Sequence, residues 1–149
     1  MPNLDAWIKS PNKGFYSLDY DFWKGGKDKV RRSFNPDFFV VQNLSRYISI
    51  IRTTANEETL ARLRALEEDG VESLVRVIEI KSDEDDDDTI SPKEEAGKAH
   101  FMALNEKLKA VNPANLPADV RDHVKQVYTF DLLRPAHFVG WFSRLTGGK

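Results

Sequence analysis

The sequence predicts an α/β fold in which a mixed central β-sheet is flanked by helices. Segments rich in β-branched and aromatic residues occur at Phe38–Val41, Leu74–Ile80 and Val127–Leu133, and this is the composition of buried strands. Helical patterns lie between the first two of these segments and between the last two. Strands that alternate with helices are typical of a sheet with helices packed against its faces.

The first half of the chain is predicted to open with a β-hairpin. Its arms are Phe15–Phe22 and Arg32–Val41, with Gly25 and Gly26 in the turn, because adjacent glycines permit the backbone angles of a tight turn. The segment Arg46–Arg52 is predicted to be a further strand.

A helix is predicted over Asn56–Asp69, with Gly70 at its end. Its leucines share one face and are interpreted as core residues: Leu60, Leu63 and Leu66. The strand that follows is apolar on both faces apart from Arg76, which indicates a central position in the sheet.

The second half begins with six consecutive acidic residues, Asp83–Asp88. Like charges repel one another and stay hydrated, so a solvated loop is expected here, with a contact near a metal site or repulsion of DNA as the alternatives. A helix is predicted from Ser91 to about Val111, a strand over Val127–Leu133 and a closing helix over His137–Leu145. The middle helix is expected to pack through Ala99, Met102, Ala103 and Leu108.

Length and composition limit the classes of protein to consider. The 149 residues, 40% of them hydrophobic, suit one globular domain spanning 1–149. The chain has no cysteine, which excludes disulfide scaffolds and thiolate metal sites. No apolar run approaches the roughly 20 residues that cross a bilayer, so no membrane association and a cytoplasmic location are expected.

Although the formal net charge is −2, the chain outside the acidic run Asp83–Asp88 is basic. Six of the 24 acidic residues lie in Asp83–Asp88, so the rest of the chain carries 18 acidic and 22 basic residues. Basic residues crowd the predicted hairpin, where they could contact nucleic-acid phosphates or be no more than a solvated turn. They are Lys24, Lys27, Lys29, Arg31 and Arg32.

Two strand-end motifs carry the candidate chemistry. Asp37 precedes an apolar strand, and Glu79 and Lys81 lie at the end of another. Alternation along a strand places Glu79 and Lys81 on the same face. Two carboxylates suit Mg²⁺, with Mn²⁺ as its substitute, and an ammonium can orient the attacking water. Each motif also has a purely structural explanation: Pro-Asp is common in turns, and polar residues are common where a strand emerges into solvent.

The chain resembles the C-terminal nuclease domain of type III restriction enzyme helicase subunits, a group of PD-(D/E)XK nucleases. The resemblance covers most of the chain in order. The matching segments are Ala6–Lys9, Gly14-Phe15, Tyr20, the basic hairpin, Asn35–Phe38, Val77–Lys81, a Lys98-containing helix and Tyr128–Pro135.

This resemblance implies a restriction-endonuclease-like core and Mg²⁺-dependent cleavage of DNA beside a helicase motor. It implies that Asp37 and Glu79 ligate the metal, that Lys81 serves the water and that Lys98 faces the site. The chain departs from the family in lacking a helix with an acidic residue ahead of the segment that contains Trp7, and in its long stretch from Gln42 to Leu74 between Asp37 and Glu79. We therefore expect an incomplete site or a C-terminal fragment of a larger helicase-nuclease, and an insertion in the sheet.

Three functions are compatible with the sequence. The first is a Mg²⁺-dependent DNA endonuclease domain. The second is a nuclease-like fold that serves as a noncatalytic module for nucleic-acid binding or assembly. The third is a structural or inhibitory protein whose acidic loop imitates DNA.

Overall fold

The structure is a computed structural model that describes residues 4–10, 16–81 and 87–146. Within these ranges the chain forms six strands and five α-helices. The strands are β1 (Ala6–Lys9), β2 (Leu18–Lys24), β3 (Asp28–Phe34), β4 (Phe38–Asn43), β5 (Ser73–Ile80) and β6 (Gln126–Leu133). The helices are α1 (Leu44–Ile51), α2 (Glu57–Glu68), α3 (Asp87–Ala110), α4 (Ala118–Arg121) and α5 (Pro135–Leu145).

The central sheet has four strands in the order β1-β4-β5-β6. β4 runs antiparallel to both β1 and β5, whereas β6 runs parallel to β5. Neighbouring parallel strands need a crossover connection, and the connection between β5 and β6 contains α3. The predicted mixed sheet flanked by helices is therefore confirmed. The hairpin β2-β3 forms a separate two-stranded sheet.

The two faces of β5 contribute to different clusters of the core. Val75 and Val77 pack with residues of the hairpin and α3. Leu74 packs with residues of α1 and α2, and Ile78 packs with residues of α5. The sheet is thus covered on both faces, which explains why β5 is apolar almost throughout.

The predicted second hairpin arm, Arg32–Val41, is wrong as a single strand. β3 ends at Phe34 and β4 begins at Phe38 in the other sheet. Pro36 lies in the break, and because proline has no N–H group it interrupts a ladder of strand hydrogen bonds. Asp37 therefore lies at the start of β4 and not on the hairpin. Of the first arm, predicted over Phe15–Phe22, the structure shows β2 from Leu18, and Phe15 lies outside the described residues.

The predicted strand Arg46–Arg52 is also wrong, because this segment belongs to the helix α1. The Asn43 side chain accepts a hydrogen bond from the N–H of Arg46 at 2.9 Å and so caps the helix. Leu44, Ile48 and Ile51 are buried, and their spacing of four and three residues is helical. The connection between β4 and β5 accordingly holds two helices.

The predictions for α2, β5, β6 and α5 are confirmed, with element ends within about three residues of those expected. Asn56 caps α2, Leu60 is buried, and Leu63 and Leu66 pack against the same cluster. Gly70 adopts φ 89° directly after the helix, a conformation that favours glycine at a helix end.

The helix α3 differs from the prediction in its start and in its packing face. It begins at Asp87 and contains Pro92, so the loop expected over Asp83–Asp88 is wrong for Asp87 and Asp88, and residues 83–86 lie outside the described residues. Phe101 is buried, with Ala96 and Leu104 packed beside it. The expected packing residues Ala99, Met102 and Ala103 are exposed, while Leu108 is half-buried.

Over the described ranges, no helix has both the length and the apolar character needed to cross a membrane.

Candidate active site

Asp37 joins three segments of the chain at one end of the central sheet. Its backbone N–H donates to the carbonyl oxygen of Ile78 at 2.8 Å, and its own carbonyl oxygen accepts from the N–H of Ser10 at 2.8 Å. Its carboxylate Oδ2 accepts from the N–H of Ile80 at 2.7 Å. Asp37 is therefore held by both its backbone and its side chain next to the end of β5.

Glu79 lies on the face of β5 that packs against the hairpin and α3, and the residue is only 7% exposed. Burial raises the pKa of its carboxyl group to about 7, although the neighbouring Lys93 acts to lower that pKa. The charge of Asp37 also raises the pKa of Glu79. The two predicted metal ligands are thus close enough to interact, as the sequence led us to expect.

Lys93 is a member of the site that the sequence did not predict. Its Nζ lies 2.9 Å from Oε1 of Glu79, and both side chains are largely buried. The same ammonium lies 5.1 Å from the ring centroid of Phe34. One signal could have indicated Lys93: a crossover helix returns along the sheet from the end of the preceding strand, so a cation early in α3 comes close to the end of β5.

Lys81 follows β5 directly and is 5% exposed. Its backbone N–H donates to the carbonyl oxygen of Leu133 at 2.7 Å, which extends the β5-β6 pairing by one residue. Ile78 and Ile80 pack towards α5 on the other face. Strand alternation therefore directs Lys81 to the same face as Glu79.

A cavity of about 290 Å³ adjoins the two carboxylates. Two buried oxygen atoms of its lining residues, Oγ of Ser10 and Oε2 of Glu79, lack a hydrogen-bond partner among the described residues. The cavity is lined by Lys9, Ser10, Ser33, Phe34, Asn35, Pro36, Asp37 and Glu79. Unpaired buried oxygen atoms beside a cavity are compatible with a cation ligand.

The chemistry of these oxygen donors fits Mg²⁺ only in part. Carboxylate oxygens are ligands that Mg²⁺ prefers, and one or two of them suffice when water and substrate phosphate complete the coordination. The described residues contain no group of three or more acidic, histidine or cysteine side chains that could hold a metal ion. The described residues therefore offer two carboxylates, those of Asp37 and Glu79, as candidate metal ligands.

The predicted nucleic-acid contacts on the hairpin divide into two kinds. Arg31 lies 2.9 Å from the carboxylate of Asp19, and Lys29 lies 3.6 Å from that of Asp21, both on an exposed face. Lys24 and Lys27 at the hairpin tip make no ion pair within the described part of the chain, and both are exposed.

The remaining hairpin cation, Arg32, lies with its guanidinium carbon 5.2 Å from the ring centroid of Phe22 on the adjoining strand. Cationic charge that is not already neutralised is thus concentrated at the tip and at Arg32.

Lys98, predicted to face the site, is not among the residues that line the cavity. Its ammonium lies 2.6 Å from the Glu94 carboxylate one helical turn away, and its side chain is 57% exposed. The hydrogen bond to Glu94 raises the pKa of Lys98. On α3, Lys93 and not Lys98 contacts Glu79.

Comparison of the chain with family models, with curated proteins and with solved structures finds no match.

Proposed function

We propose that this chain is a Mg²⁺-dependent endonuclease domain that hydrolyses DNA phosphodiester bonds in a restriction or helicase-nuclease system. The observation that carries the proposal is the meeting of Asp37 and Glu79 beside a cavity at one end of the sheet. Placing the half-buried carboxylate of Asp37 beside the buried one of Glu79 is costly unless cations offset their charge. Groups with perturbed pKa values that line a cavity are typical of functional sites.

The placement of the motifs supports the same proposal. Asp37 precedes β4, and the Glu-x-Lys motif lies at the end of the antiparallel neighbour β5, which α3 connects to the parallel strand β6. A mixed sheet with the two motifs at one end is compatible with the resemblance to type III restriction enzyme nuclease domains. We therefore propose that the fold has a restriction-endonuclease-like core.

The proposed roles follow from the chemistry of each side chain. Mg²⁺ would supply polarisation of the phosphate and a lowered pKa for the attacking water. Asp37 and Glu79 would hold the ion. Lys81 would orient the water and offset the negative charge that develops on the phosphate. Lys93 would favour the ionised form of Glu79, which is the form that binds a metal.

Incubation with supercoiled plasmid and Mg²⁺, with and without a helicase partner, tests the proposal. The wild-type protein should nick the DNA, whereas Asp37→Ala should not. Glu106→Ala is the matched control, because it removes an exposed carboxylate that is already paired with Lys109 on α3. The proposal fails if wild type and Asp37→Ala nick at the same rate under both conditions.

A noncatalytic nucleic-acid-binding or assembly module is the second candidate. The ion pair between Lys93 and Glu79 favours it, because a protein cation already neutralises that carboxylate. Titration calorimetry with Mg²⁺ separates the two candidates. A binding module should show no saturable metal heat, and its DNA affinity should be unchanged in Glu79→Ala.

A further inference from the structure

Arg76 is the one charged residue of the segment 74–78, and its side chain lies on the face of β5 opposite to Glu79. Its Nε–H donates to Oε1 of Gln42 at 3.2 Å. Its guanidinium carbon lies 5.0 Å from the ring centroid of Tyr47. Both partners are uncharged, so neither neutralises the arginine.

The guanidinium of Arg76 retains most of its hydrogen-bonding capacity. Arginine has five N–H donors, and the bond to Gln42 uses the one on Nε. Among the described residues no carboxylate forms an ion pair with Arg76, although the residue is half-buried. A half-buried cation favours an anionic partner, because taking a charge out of water is costly without one.

A cavity of about 270 Å³ adjoins this arginine. Arg62 of α2 also lines it, and Arg62 likewise has no carboxylate partner within the described ranges. Thr59 adds a hydroxyl group. The complete lining is Tyr47, Thr59, Arg62, Leu63, Leu66 and Arg76. The cavity is therefore lined by two arginines and a threonine together with apolar residues.

We propose that this cavity binds a phosphoryl group. Guanidinium groups pair with phosphate through parallel N–H to oxygen hydrogen bonds, and a group with three oxygens and more than one negative charge can engage both arginines. The phosphoryl group belongs either to a free phosphate compound or to a nucleic-acid backbone. The site lies on the other face of the sheet from Asp37 and Glu79, so it does not depend on the proposed nuclease activity.

Calorimetric titration with inorganic phosphate tests the site, in EDTA and with chloride holding the ionic strength constant. Wild type should show one saturable site. Arg62→Met should weaken phosphate binding by about tenfold or more, since each charge-assisted hydrogen bond contributes substantially. Arg64→Met is the matched control, because Arg64 is exposed on the same helix and does not line the cavity.

The absence of saturable heat in wild type would overturn the proposal, as would an equal loss of binding in Arg64→Met and Arg62→Met. Arg62 carries the test because it is exposed, whereas replacing Arg76 also removes its packing on Tyr47. EDTA removes any contribution from a metal, so failure of the nuclease proposal leaves this result unaffected.

A short DNA duplex titrated in the same buffer identifies the source of the phosphoryl group. If the source is nucleic acid, Arg62→Met weakens DNA binding more than Arg64→Met does, and inorganic phosphate competes with the duplex. If the two variants bind DNA equally while phosphate binding is still lost in Arg62→Met, the ligand is a free phosphate compound.

Discussion

At the scale of single residues, the burial of Glu79 makes the stability of the protein depend on pH. Its pKa is raised from 4.5 to about 7 in the folded protein. Between these values the unfolded chain releases a proton that the folded protein retains, so this residue's contribution to stability is lost as the pH rises through that window. The loss is about 3 kcal/mol for a shift of this size.

We therefore expect Glu79→Gln to become more stable relative to wild type as the pH rises from about 4.5 to 8, by about 3 kcal/mol in metal-free buffer. Urea denaturation of both proteins across that range measures the difference. Carboxylates distant from Glu79 behave alike in the two proteins and cancel. Parallel stability profiles would contradict the expectation.

Lys93 should contribute to stability in a way that depends on the charge of Glu79. Lys93→Met leaves a buried carboxylate without its cation, which we expect to cost about 3 kcal/mol near pH 8, as is typical of removing one partner from a buried ion pair. Near pH 5 the cost should be smaller, because Glu79 is then protonated. Chemical denaturation at the two pH values checks this.

Lys98→Met is the matched control for that experiment. It removes an exposed ion pair with Glu94 from the same helix, and such pairs contribute about 0.5 kcal/mol or less. Equal losses in Lys93→Met at both pH values would show that the ammonium does not act on the charge of Glu79.

The positions of Asp37, Glu79 and Lys81 at the ends of apolar strands could be predicted, because short sequence segments reveal such positions. Lys93 could not, because its contact depends on how α3 lies over the sheet. Lys93 and Lys98 are five residues apart on α3, which at about 100° per residue turns them roughly 140° away from one another. Lys98 therefore lies on a different face of α3 from Lys93, the residue that contacts Glu79.

At the scale of elements, the approach of α3 to β6 depends on Gly97. A Cβ atom at this position would lie 2.3 Å from the ring of the buried Phe130. Gly97→Ala should therefore destabilise the protein by about 1–3 kcal/mol through overpacking, despite the better helix propensity of alanine. Thermal or urea denaturation measures this change.

Gly140→Ala is the control for that substitution. Gly140 lies within α5, and the nearest atom to an added Cβ is 3.7 Å away on the Arg144 side chain. This variant should gain up to about 1 kcal/mol from helix propensity. Similar effects of the two substitutions would contradict the close approach at Gly97.

The basic residues of the hairpin β2-β3 should contribute unequally to DNA binding. Lys24 and Lys27 are not neutralised by described carboxylates, whereas Lys29 and Arg31 already face Asp21 and Asp19. Replacing Lys24 and Lys27 together by Met should reduce the slope of log K against log salt by about 1.8 if each neutralises one phosphate. Replacing Lys29 and Arg31 together should reduce it less. Fluorescence anisotropy across a salt series compares the pairs.

The wrong assignment of α1 shows why short apolar segments are ambiguous. Arg46–Arg52 contains three isoleucines and a tyrosine, a composition that favours a strand. The helix is stabilised by the cap at Asn43 and by burial of Leu44, and both residues lie outside the segment that was considered. Composition indicated the wrong element because the capping contact lies just outside the segment and the burial of Leu44 depends on tertiary packing.

At the scale of the whole molecule, ligand binding and folding are linked. If Asp37 and Glu79 hold Mg²⁺, the ion should stabilise the protein by about 2.7 kcal/mol at a concentration one hundred times its dissociation constant. The effect should be larger near pH 8 than near pH 6, because the ion must displace a proton whose pKa is about 7.

Thermal unfolding with and without Mg²⁺ measures this stabilisation, with sodium chloride matching the ionic strength. Asp37→Ala should show no specific increase in melting temperature. An identical increase in wild type and Asp37→Ala would show that the ion acts elsewhere on the protein.

The order of most elements along the chain could be predicted, but the pairing of strands could not. The local patterns of β4, β5 and β6 indicate strands, and α3 between β5 and β6 is compatible with their parallel pairing. The hairpin β2-β3, in contrast, is not part of the central sheet, so β1 pairs with β4, which is the next strand of that sheet along the chain. This arrangement depends on contacts between residues about 30 positions apart, which no short segment records.

The hydrogen bond between the Asp37 carboxylate and the backbone N–H of Ile80 has a spectroscopic consequence. A strand amide held by a titratable side chain shifts its proton resonance when that side chain changes protonation or ligation. In an NMR spectrum of uniformly ¹⁵N-labelled protein, the single cross-peak of Ile80 would therefore report the state of Asp37. Its rate of exchange with deuterium would show how often this end of the sheet opens.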